Sequence, residues 1–64
     1  MLKINLLLKN IIRRSGMTQG EIARETGVSA SRLSRIIHGY TKPRKEEEEA
    51  LSRLLGIESA ELFQ

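Results

Sequence analysis

Cysteine and tryptophan are missing from this 64-residue sequence, proline and histidine occur once each, and the aromatic rings are those of Tyr40 and Phe63. Without cysteine there is no disulfide staple and no thiolate cage for a metal. The single histidine, His38, has no carboxylate constellation close to it, and the glutamate run lacks a second histidine at ligand spacing. An enzyme or metal centre is therefore disfavoured, and no cofactor is expected. Two rings are too few for a platform that stacks single-stranded RNA. Long apolar runs are absent as well. The stretch from Met1 to Leu8 is interrupted by Lys3 and Asn5 and followed by Lys9 and Asn10. It is too short and too polar for a signal peptide or membrane span, so a cytoplasmic protein with no membrane partner is expected. A chain of this length buries only ~60% of its unfolded surface and reads as one domain, residues 1–64, with no room for an effector-sensing second one.

What is present is charge, unevenly placed. The net formal charge is +3. Met1 to Lys45 holds ten Lys/Arg against two Glu, a net of +8, while Glu46 to Gln64 holds one Arg against six Glu, a net of −5. That polarity predicts one side facing a polyanion and another that is solvated and acidic.

The apolar period is helical throughout. Ile4, Leu7, Leu8, Ile11 and Ile12 mark a first helix over about residues 4–14, with Leu2 and Leu6 off its stripe and Ser15-Gly16 as its stop. Thr18 and Glu21 form a capping-box pair, opening a second helix that runs to about Thr26 and ends at Gly27. Ser29 is the expected cap of a third helix, which turns Leu33, Ile36 and Ile37 inward and stops at His38-Gly39. Pro43 fits the first position of a fourth helix, followed by Glu46 to Glu49 near the positive end of its dipole and by Leu51, Leu54 and Leu55, with a stop at Gly56. A short fifth helix from Glu58 to Phe63 would lay Ile57, Leu62 and Phe63 over the core. No strand-like alternation occurs. The expected fold is all-α, a compact bundle of five short helices.

The second and third helices are joined by a few residues around Gly27-Val28. So tight a junction needs a small residue at the helix contact, supplied by Ala23, and a residue tolerant of positive φ, supplied by Gly27. Ile22, Val28, Leu33 and Ile36 stand where apolar anchors are required; Thr26 departs, at a position that is usually apolar. The stretch from Gly16 to Gly39 resembles the Cro-like, phage-repressor type helix-turn-helix family. The likeness extends to the amphipathic first helix, the Lys42-Pro43 opening of the fourth and the Leu55-Gly56-Ile57…Glu61-Leu62-Phe63 ending. The resemblance implies a lambda-repressor-like DNA-binding domain, usually dimeric on operator DNA and usually a transcription regulator. Four further positions depart from it. Lys45 and Glu48 stand where the fourth helix is usually apolar, so a frayed or differently packed start is expected there. His38 replaces the usual Asn before the glycine, and Ser31 replaces a glutamine that some phage repressors use to read DNA.

With Ser29 as cap, a helical wheel puts Ala30, Ser31, Ser34, Arg35 and His38 opposite the apolar face. The first four are the candidate base readers. Arg35 leads because a guanidinium can bond guanine O6 and N7 together; the serines read weakly, and Ala30 suits a thymine methyl. Arg32 falls between the faces and suits a phosphate. Gln19, at the second helix's N-terminus, matches by resemblance a glutamine that bonds the DNA backbone. His38, Tyr40, Lys42, Arg44 and Lys45 complete the phosphate candidates; His38 could instead serve the last carbonyls of its helix. A homodimer on double-stranded DNA is expected through the region Ile57–Phe63, with Ile57, Leu62 and Phe63 at the interface. The alternative is an antitoxin-like or adaptor module that binds a protein partner through Leu2, Leu6, Leu62 and Phe63.

Overall fold

The computed structural model describes residues 3–63. Five helices follow in order: α1 Leu6–Ser15, α2 Gln19–Thr26, α3 Ala30–Ile37, α4 Lys45–Leu55 and α5 Ser59–Leu62. No strand occurs among the described residues. The all-α five-helix expectation holds, and its residue-level departures have local causes.

Asn5 sets the start of α1. Its side-chain oxygen accepts the Leu8 N–H at 3.0 Å, which makes it the N-cap and leaves Ile4 before the helix. The apolar stripe is correspondingly narrower than expected. Leu8 and Ile12 are buried and Ile11 packs against them, whereas Ile4 and Leu7 are each 44% exposed. Leu2 lies outside the described residues. Asn5 also makes two long-range bonds: its backbone N–H donates to the Ile37 carbonyl at 2.7 Å, and its side-chain nitrogen to the Leu62 carbonyl at 2.5 Å. One residue thus ties the chain start to the end of α3 and to α5.

The capping box of α2 forms as expected. Thr18 Oγ1 accepts the Glu21 N–H at 3.1 Å, and Glu21 Oε1 accepts the Thr18 N–H at 2.8 Å. Gly27 ends the helix at φ 79°, a left-handed conformation that a Cβ would disfavour. Thr26 has a physical role in this turn. Its hydroxyl donates to the Ile22 carbonyl at 2.7 Å and accepts the Val28 N–H at 3.2 Å, so the polar side chain is satisfied where an apolar one is usual. Ser29 caps α3 by accepting the Arg32 N–H at 3.1 Å.

Helix α4 begins later than Pro43 suggested. Arg44 is its N-cap and Pro43 stands one residue outside. The cap is fastened by Glu47, whose Oε1 accepts the Arg44 N–H at 2.7 Å. Helix α5 is a single turn with Glu58 as its cap, so it is shorter than the span from Glu58 to Phe63. Leu8, Ile12, Ile22, Val28, Leu33, Ile36, Ile37, Leu51 and Leu62 form the buried core. Each such side chain contributes about 1.5–3 kcal/mol by leaving water. Helix α2 packs on α3 and α4, α1 on α3 and α4, and α5 on α4, so α3 is held from several sides.

Candidate nucleic-acid interface

The face of α3 follows from its register. Leu33, Ile36 and Ile37 are buried, while Ala30, Ser31 and Arg35 are exposed and Ser34 is half-buried. Seen along the helix, the polar arc is the one expected of a reading face, with the Arg35 guanidinium as its longest donor. Among the described residues Arg35 makes no ion pair.

Arg32 is placed differently from the expectation. Its Nε donates to Glu47 Oε2, and its Nη2 donates to Glu47 Oε1 at 2.9 Å and to the Lys42 carbonyl at 3.4 Å. This two-pronged pair binds α3 to the first turn of α4 and holds the intervening loop. The hydrogen bond from Arg32 is the main reason the Glu47 carboxyl lies below its ordinary range; partial burial opposes the shift, and the Arg44 N–H adds to it. The same bond raises the Arg32 guanidinium, against a smaller effect of burial. The pair sets Arg32 apart from the other phosphate candidates: its charge already has a carboxylate partner within the chain, and its side chain is 30% exposed. The glutamate run has a matching structural use: Glu47 anchors the start of α4, which is helical from Lys45 onward, with Lys45 exposed and Glu48 half-buried.

His38 caps the other end of α3. Its backbone N–H donates to the Ser34 carbonyl at 3.0 Å, and its Nδ1 lies 2.8 Å from the same oxygen. Because a carbonyl only accepts, Nδ1 is the donor in this contact. Of its two expected uses, the helix-end contact is the one formed within the chain.

The remaining phosphate candidates flank this helix. Gln19 is exposed at the first position of α2. Tyr40 is 66% exposed, and Lys42, Arg44 and Lys45 are exposed in the α3–α4 loop and at the start of α4. That loop is braced from both directions. Arg32 and Glu47 hold its far side, and the chain start lies against Gly39, where an added Cβ would collide with the Lys3 carbonyl oxygen. Sequence reasoning missed Asn5, Glu47 and the Lys3–Gly39 approach. Asn5 carried a legible signal as a cap-forming residue before an apolar stripe; contacts across 15 and 57 residues carry none in the period of the sequence.

The expected interface of Ile57, Leu62 and Phe63 is divided. Leu62 is 1% exposed, buried in the core, and has no side-chain surface left for a second copy. Ile57 and Phe63 are half-buried and line two different surface grooves. No helix among the described residues is long and apolar enough to cross a membrane.

A helix-turn-helix family model matches residues 8–62. Neither a curated protein nor a solved structure matches the chain. The matched span contains the capped α2, the Gly27 turn and the whole of α3, and the regulatory domains of this family bind DNA rather than catalyse reactions. By its sequence and its five-helix architecture, the chain belongs to the Cro-like helix-turn-helix family of DNA-binding regulators.

Proposed function

We propose that the protein is a small Cro-type repressor, one domain acting in the cytoplasm, which binds double-stranded DNA as a homodimer on a near-palindromic operator. The observation that carries this reading is the exposed arc of α3, with Arg35 free on a helix whose opposite face is buried and whose two ends are capped. In this reading α3 enters the major groove. Arg35 bonds a guanine edge, Ser31 and Ser34 bond neighbouring base edges, and Ala30 meets a thymine methyl. Gln19, Tyr40, Lys42, Arg44 and Lys45 hold the phosphates on either side, which fixes register without reading sequence. His38, at the end of α3, joins them.

One recognition helix covers too few base pairs for a useful specificity ratio in a genome, so two copies are required. Two-fold symmetry in the protein is then mirrored in the DNA. Selection of bound duplexes from a random pool should recover a near-palindrome with half-site centres ~10 base pairs apart. A footprint covering one asymmetric half-site, or a pool that enriches no sequence, would contradict the proposal.

A further inference from the structure

Among the described residues, three of the four exposed large apolar side chains lie within four residues of one another: Ile4 and Leu7, each 44% exposed, and Leu6, 63% exposed. They line a surface groove of about 730 Å³, and Phe63 lines it with them. A contiguous apolar surface of this kind on a small soluble chain marks a contact site. Four charged residues also line the groove. Lys3 and Lys42 come from the chain start and the α3–α4 loop, two segments that meet at Gly39; Glu48 and Glu61 come from α4 and α5. None of the four is ion-paired among the described residues.

We propose that this groove is the face through which two copies of the chain pair. An isologous contact must be complementary to itself, and a rim with two unpaired cations and two unpaired anions around an apolar floor meets that condition. A two-fold rotation presents the lysines of one copy to the glutamates of the other while Leu6 and Leu7 cover the partner's floor. A partner carrying one sign of charge would leave half the rim opposed by like charge. The position also suits the DNA. Lys3 lies against Gly39, next to the residue that ends α3, so contact here sets the separation of the two recognition helices. The inference rests on the homodimer reading above and replaces its expected location: Phe63 is retained, Ile57 lies on another groove, the chain start becomes the main element, and Lys42 passes from the phosphate contacts to the rim.

Sedimentation of the full chain, with and without a duplex carrying two half-sites, tests it. Leu6→Glu, at a solvent-exposed position, should weaken self-association by about tenfold or more, because each pairing would bury an unpaired charge. Lys3→Glu with Lys42→Glu gives an all-acidic rim, and Glu48→Lys with Glu61→Lys an all-basic one. Each double variant should remain monomeric alone, and the two should pair when mixed. If wild type and Leu6→Glu associate equally, or the two rim variants fail to pair with one another, the groove is not the interface, although the homodimer reading survives. If wild type is monomeric in solution and occupies the two half-sites independently, both the groove and the homodimer fall.

Discussion

Arg32 and Arg35 stand one helical turn apart on α3, yet the first is paired with Glu47 and the second makes no ion pair among the described residues. The helical wheel separates them correctly as to face, since Arg35 lies opposite the core and Arg32 at its border. It cannot show that the border faces α4, because that depends on how a loop returns the chain. The pair makes a pH prediction. Glu47 is lowered in the folded state, so the stability it contributes is present above the ordinary carboxyl value of 4.5 and is lost as pH falls through the lowered one. Glu47→Gln should therefore melt below wild type at pH 7, and the gap should close progressively as pH is taken below that value. The raised Arg32 adds no change in this window, because loss of its proton lies far to the alkaline side. Thermal melting at a series of pH values checks this, and a gap that stayed constant into acid would mean that the pair does not stabilise the fold.

At the scale of elements, the caps are the most legible feature. Thr18, Ser29, Gly16, Gly27 and Gly56 end or begin helices where local chemistry requires it. The starts of α1 and α4 are legible in part: the caps made by Asn5 and Glu47 are local signals, whereas the bonds that tie Asn5 to Ile37 and Leu62 leave no trace in the period of the sequence. Gly39 shows how much the chain start matters. Its φ is +80°, and a Cβ there would collide with the Lys3 backbone, whereas at Gly27, φ +79°, a Cβ would meet nothing within 4 Å. Gly27→Ala should cost the left-handed strain alone, ~1–2 kcal/mol. Gly39→Ala should cost more, because the Lys3 segment must move and with it the bond from Asn5 to Ile37. Equal melting temperatures for the two variants would show that the chain start is not held against Gly39.

For the whole molecule, the division of charge is visible in the sequence and has two structural uses. The basic part supplies the exposed residues around α3, and the acidic run supplies Glu47 to the brace and Glu48 to the groove rim. The pairing face is not legible, since it joins residues 3–7 to the last turn of the chain across a tie that runs through Asn5. The central claim is that α3 reads bases while the loop and the start of α4 hold phosphates. Its most direct test is duplex affinity measured across a salt series for wild type, Arg35→Ala and Arg44→Ala, on the selected operator and on random DNA. Arg35→Ala should lose ~1–3 kcal/mol on the operator and flatten preference at one base position of each half-site, with little change on random DNA. Arg44→Ala should weaken both duplexes alike and reduce the slope of log K against log salt by about one for each phosphate no longer neutralised. If both variants keep wild-type affinity, base preference and salt slope, the exposed arc of α3 does not read DNA and the central claim is wrong.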